Sequence, residues 1–182
     1  IKDAGVNIDE NAVRITGYYG HGYHYYSMGS DYKWNARTLD VNKENGYHSV
    51  ENPGGGPTFW NATVVVTAKN FIAENIIFEN SFNQYISAKE ALDVVINGPE
   101  GKGDRPTTSG NTDVQLRSYR ERACAIAFSK NSDRSYLNNC RIIGRQDALY
   151  GDQGCRVAIN GGVLMGACDY IFGGMTLAVK EA

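Results

Sequence analysis

Ile142-Ile-Gly-Arg-Gln-Asp-Ala-Leu-Tyr-Gly151 and Leu164-Met-Gly-Ala-Cys-Asp-Tyr-Ile-Phe-Gly173 are one pattern written twice. Gly144 and Gly166, Asp147 and Asp169, and Gly151 and Gly173 are each 22 residues apart; between them aliphatic faces aliphatic, and Tyr150 faces Phe172. A unit of this length has room for three short strands. It buries its apolar side by stacking on the next unit, as the coils of a solenoid do. Strands of a sandwich have no reason to keep such a register. The repeat therefore predicts an all-β chain folded as a parallel β-helix, with about 22 residues per coil.

Working outward, the flanking sequence keeps the same rhythm. Ala62-Thr-Val-Val-Val-Thr67, Phe71 to Phe78, Ala125-Ile-Ala-Phe128, Ser135-Tyr-Leu137, Cys140-Arg-Ile-Ile143, Arg156-Val-Ala-Ile159, Val163-Leu-Met165 and Thr176-Leu-Ala-Val179 are short runs bounded by Gly, Asn, Asp or Ser. Such runs read as strands between tight turns. Residues 82–121 break the rhythm. Ser87-Ala-Lys-Glu90 is a capping box ahead of Ala91-Leu92 and Val94-Val95, which predicts a short helix, and Gly98 to Gly110 reads as exposed loop. The expected organisation is one β-helix domain over residues 1–182, incomplete at its C-terminus. An inserted loop with a short helix, residues 82–121, leaves the solenoid.

Composition narrows the class. The chain has 182 residues, 42% of them hydrophobic and 21% charged, with net charge −2, so neither disorder nor a basic nucleic-acid footprint fits. No apolar run approaches the roughly 18 residues that cross a bilayer. Cys124, Cys140, Cys155 and Cys168 form no C-x-x-C pair, so no metal is expected there, and buried free thiols are the default reading. Tyr18-Tyr-Gly-His-Gly-Tyr-His-Tyr-Tyr26 holds His21 and His24, but no third ligand stands at a matching spacing. A packed, partly exposed aromatic loop is expected. Trp34 and Trp60 are read as structural.

The repeat also carries the chemistry. Asp147 and Asp169 should occupy equivalent positions on successive coils, ~4.8 Å apart along the stack. Like charges so close are costly unless one is protonated, paired or used. Two carboxylates on a rigid sheet can divide nucleophilic and acid/base work between them. A single Asp in such a turn would read as a cap; two in register, each followed by an apolar-aromatic pair and Gly, read as a site. Gln146 stands beside the first, and Tyr150, Tyr170 and Phe172 follow the pair as candidate substrate-binding residues.

At these residues the sequence resembles a known family. Gly144-Arg-Gln-Asp-Ala-Leu-Tyr150 is similar to the G-x-Q-D-T-L-Y motif of pectin methylesterases, and Asp169-Tyr-Ile-Phe-Gly173 to their V-D-F-I-F-G motif. Phe71 to Asn80, and Ala125 to Phe128 through Asp133-Arg134 and Asn139-Cys140, resemble further stretches of the family in the same order. The long insertion and the aromatic N-terminal part look more like bacterial members than plant ones. The resemblance implies a cofactor-free, monomeric, secreted or envelope-located esterase built on a right-handed parallel β-helix. Such an enzyme removes methyl groups from the C6 esters of polygalacturonate. It implies Asp169 as nucleophile, Asp147 as acid and then base, and Gln146 as donor to the tetrahedral intermediate.

Two departures from the family pattern bear on activity. Cys124 stands where the family has a second glutamine, and a thiol is a poor donor; Gln115, Arg122 or a backbone N–H are alternatives. The family's active-site arginine follows V-D-F-I-F-G at a distance, whereas this chain has nine residues after Gly173, so it is expected to be a fragment. The competing readings are a non-catalytic carbohydrate-binding β-helix and a β-helix polysaccharide lyase or hydrolase. Neither of the latter two explains the paired motifs.

Overall fold

The computed structural model of the chain describes residues 12–20, 25–28, 62–95 and 122–182. The strands are β1 (Val13–Gly17), β2 (Val64–Val66), β3 (Ile72–Glu74), β4 (Ile76–Asn80), β5 (Ile126–Phe128), β6 (Ser135–Ile143), β7 (Leu149–Gly151), β8 (Arg156–Met165), β9 (Ile171–Gly173) and β10 (Thr176–Lys180). A helix, α1 (Ala88–Leu92), follows β4. One sheet runs β2-β5-β7-β9. The other runs β1-β4-β6-β8-β10, with β3 beside the first half of β6. Every strand pair is parallel. This is a parallel β-helix: the coils β2–β4, β5–β6 and β7–β8 each contribute one strand to the small sheet and one long or divided strand to the large one.

The 22-residue period of the sequence is the register of the stack. Leu149 pairs with Ile171, Tyr150 with Phe172 and Gly151 with Gly173, while Ser135 pairs with Val157 and Ile143 with Met165. Earlier in the chain, Val64 pairs with Ile126, 62 residues on, where a plain coil takes 22. The coil is therefore interrupted between β4 and β5. Residues 96–121, including the Gly-rich run and Gln115, lie outside the described set, as do His21, His24, Trp34 and Trp60.

Strand boundaries differ from the sequence reading at one corner. Phe71 to Phe78 is two strands, broken at Asn75 (φ 58°), whereas Ser135 to Ile143 and Arg156 to Met165 are each continuous. The three breaks or bends stack: Asn139 (φ 49°) and Gly161 (φ 65°) follow Asn138 and Asn160, which pair in register above Glu74. Asn and Gly tolerate this left-handed backbone best. Asn139 Nδ2 donates to Asn75 Oδ1 at 2.7 Å, so the corner side chains bond along the stack. Beside them Asn160 Nδ2 donates to Asn138 Oδ1 (2.9 Å) and Asn138 Nδ2 to Glu74 Oε1 (3.2 Å). Spacing alone could not say which polar residues end strands and which only bend them.

Val66, Phe78, Ile126, Phe128, Leu137, Ile142, Leu149, Val157 and Ile159 fill the interior. Burial falls toward the last coil, which has a neighbour on one side, and there Ile171, Met165 and Val179 are exposed. A second cluster holds Tyr18, Tyr25, Phe82 and Ala123, with the Tyr18 and Tyr25 rings 5.4 Å apart, edge to face. The aromatic loop is thus packed at Tyr18 and Tyr25 and exposed at Tyr26. Helix α1 is capped by Ser87, whose Oγ accepts from Glu90 N at 3.1 Å, as the capping box implies. It stops at Leu92, short of Val94-Val95. The Asp93 carboxylate accepts from Tyr18 Oη (2.7 Å) and Val94 N (2.9 Å), and Val95 bridges to Tyr25.

Two glycines test the stacking. A Cβ on Gly162 would lie 2.0 Å from the Cys140 carbonyl oxygen of the coil beside it, whereas one on Gly154 meets nothing; both have left-handed φ (91° and 94°). Gly154→Ala should cost about 1–2 kcal/mol from backbone conformation alone. Gly162→Ala should cost about 3 kcal/mol or more, because strand spacing must also give way. Urea unfolding of the two variants measures the difference, and equal losses would contradict the register described.

Candidate active site

Just before each strand of the small sheet, the chain makes the same turn. Arg122 bridges in parallel to Gln146, and Gln146 to Cys168, forming a three-coil ladder. Ala123 N donates to Gln146 O (3.0 Å), Asp147 N to Cys168 O (3.2 Å) and Leu149 N to Tyr170 O (2.9 Å). Asp147 and Asp169 consequently hold equivalent places on neighbouring coils. Both are left-handed (φ 61° and 42°), a conformation that Asp adopts more readily than most residues.

The turn also explains the spacing of Gly-x-x-Asp. A Cβ on Gly144 would meet Ala148 Cβ at 2.9 Å, and one on Gly166 would meet Tyr170 Cβ at 2.2 Å. The glycine is required because the residue after the aspartate folds back over it. Each motif is one tight turn that aims an aspartate, and its two ends are fixed by the same contact.

The two carboxylates have unlike surroundings. Asp147 is 2% exposed, and its Oδ2 lies 3.4 Å from Nε of Arg122, itself only partly exposed. Asp169 is exposed. Between β7 and β9 the Tyr150 and Phe172 rings stack at 4.9 Å, tilted by 50°. Tyr150 is half-buried, and burial pushes its hydroxyl up from the ordinary tyrosine range. Tyr170 is exposed beside Asp169. The five residues Asp147, Asp169, Tyr150, Tyr170 and Phe172 thus fall on two adjacent coils, with Gln146 heading the same turn.

Cys124 does not face this cluster as a donor. It is fully buried, and its thiol bonds to the carbonyls of Ile126 (3.1 Å) and Ala148 (3.6 Å). Burial, and then the nearby Asp147 charge, push the thiol far up, so it stays protonated. Arg122, by contrast, lies against Asp147, a pairing that sequence spacing did not reveal. Its place shows only in the structural register: a 22-residue step back from Gln146 reaches Cys124, whereas the residue bridged to Gln146 is Arg122, 24 residues back. Among the described residues no three His, Cys, Asp or Glu side chains gather as a metal site would require. No described helix is long and apolar enough to cross a membrane. The default of buried thiols holds for Cys124, Cys140 and Cys155 but not for Cys168, which the last coil leaves exposed.

Two carboxylates at equivalent places on neighbouring coils, one of them buried and cation-paired, are suited to nucleophilic attack coupled to proton transfer. No family model matches the chain. Among known proteins it is 30% identical over 135 residues to Pectinesterase 31 of Arabidopsis thaliana, an alignment covering 74% of this chain and 31% of that protein. Its structure is similar to that of the pectin methylesterase PemA from Erwinia chrysanthemi, with TM-score 0.55 and 20% identity over 94% of this chain and 36% of that one. It is similar also to a pectin methylesterase from Yersinia enterocolitica, with TM-score 0.53 and 22% identity over 92% of this chain and 38% of that one. The chain spans about a third of the length of the proteins it matches.

The burial of the thiols gives a direct check on this geometry. Under native conditions at mildly alkaline pH, a thiol reagent should label the 182-residue chain once, at Cys168, and Cys168→Ser should abolish labelling. The other three should react only on unfolding. Rapid native labelling of Cys124 would mean that its thiol faces the site after all.

Proposed function

We propose that this chain, which belongs to the pectin methylesterase family, carries the ester-cleaving centre of an enzyme that removes methyl groups from the C6 esters of polygalacturonate. The observation that supports it most is the in-register pair Asp147 and Asp169 on adjacent coils, the first of them buried beside a cation. In this reading the Asp169 carboxylate attacks the ester carbonyl carbon, and the carbonyl electron pair moves to oxygen. The amide of Gln146 donates to that oxyanion. Collapse breaks the bond to the methoxy group as Asp147 gives its proton to the departing oxygen, releasing methanol and leaving an acyl-enzyme. A water then loses a proton to Asp147 and attacks the acyl carbon, restoring Asp169 and freeing the polymer carboxylate.

Tyr150, Tyr170 and Phe172 would supply aromatic surface for sugar rings beside the reacting ester. No cofactor or metal has a step to perform in this sequence. The chain is read as one β-helix domain acting as a monomer, with residues 82–121 an insertion into it. A wall polymer as substrate argues for a place outside the cell. Cys124, turned inward where the family resemblance implies a second glutamine, favours one competing reading, a carbohydrate-binding solenoid without turnover.

Methanol release from highly methylated pectin by the full-length protein separates the two. Release is expected. Asp169→Asn should lower kcat by at least about 10⁴-fold, and Gln146→Ala by about 10²–10³-fold with little change in KM. Pectin binding without methanol would leave the binding solenoid, and near-normal turnover by Asp169→Asn would remove that residue as nucleophile.

A further inference from the structure

We infer that Arg122 is a positioning residue for Asp147, a cation built into the coil below to hold that carboxylate while it gives up and regains its proton. The inference rests on Asp147 being the acid and base of the reaction proposed above. Three features of the stack carry it. Arg122 is tied by backbone to Gln146, so its side chain starts from a fixed point on the sheet immediately before Asp147. Its Nε lies 3.4 Å from Asp147 Oδ2, and that carboxylate is nearly sealed from water. Lastly, Arg122 and Asp169 belong to the coils on opposite sides of Asp147.

Asp147 is thus placed between a positive and a negative neighbour. When it ionises after giving its proton to methanol, it becomes a buried charge beside a second carboxylate, which is costly without a partner. A guanidinium meets this need well. It does not lose its own proton, so its charge is constant through the cycle, and its planar fork fixes the carboxylate's orientation as well as its charge. Cys124, the other titratable group against Asp147, remains a neutral thiol turned toward carbonyls and supplies neither.

Among the described residues, the charged and titratable groups placed against Asp147 are Arg122, Cys124 and Asp169, and of these Arg122 is positive. In the full-length protein, Arg122→Gln should lower kcat about 10–100-fold while KM changes less than about threefold. The basic limb of the kcat/KM profile, where Asp147 loses its proton, should move to higher pH, because removing a neighbouring cation favours the protonated carboxyl. Arg122→Lys should recover most of the rate and return the limb to its original place. Carbon-13 NMR of the Asp147 carboxyl should show the same upward move in Arg122→Gln whether or not the protein turns pectin over. If the wild type releases no methanol, the esterase reading fails while the NMR titration still tests the pairing. Wild-type kcat and an unmoved limb in Arg122→Gln, or a lower kcat with an unmoved Asp147 titration, would overturn the inference. If Arg122→Gln does not fold, Arg122→Lys decides: a limb in its wild-type place supports the inference, and a displaced one overturns it.

Discussion

In-register stacking of parallel coils is the constraint from which the rest of this structure follows. A strand of three residues has too few hydrogen bonds and too little apolar surface to persist alone. Here each gains both by lying over the same residues of the coil beneath, as Leu149, Ile126 and Ile171 do in the small sheet. A shift of one residue would turn the buried Leu149 outward and bring a half-buried tyrosine inward. Register is therefore held by the whole core, and whatever is written at one place in the repeat recurs at a fixed distance in space.

That property makes the site inexpensive to position and hard to misplace. Asp147 and Asp169 need no dedicated loop to bring them together. The turn that carries each is closed by a glycine under the next side chain, and the turns are spaced by the backbone ladder through Arg122, Gln146 and Cys168. Asp147, with described coils on both sides, is buried between them.

The sequence was legible where the repeat was intact and obscure where it was not. Gly144, Asp147 and Gly151 against Gly166, Asp169 and Gly173 were enough to give the fold, the register and the pairing of the aspartates. Strand limits at Asn75, Asn139 and Gly161 were not legible, because one left-handed residue can end a strand or merely bend it, and the outcome depends on the coils above and below. Arg122 stood among the alternatives for the missing donor, but its pairing with Asp147 was not legible, for a related reason. No repeated motif surrounds it, so its place on the ladder appears only once the strands are aligned. The inward turn of the Cys124 thiol was likewise settled by packing, since nothing local says which way a residue between Ala123 and Ala125 faces.

Cys124 and Arg122 show how residues two apart on one coil serve different sides of the stack. A side chain at Cys124 that points to carbonyls inside the coil leaves no donor there for chemistry outside it. Two residues earlier on the same coil, a guanidinium reaches the carboxylate of the next. Neighbouring coils present a small set of equivalent positions, and which of them face the core and which the site is settled by packing. What a β-helix holds constant is the place where a carboxylate must stand, while the identity of its neighbours is free to vary one coil at a time.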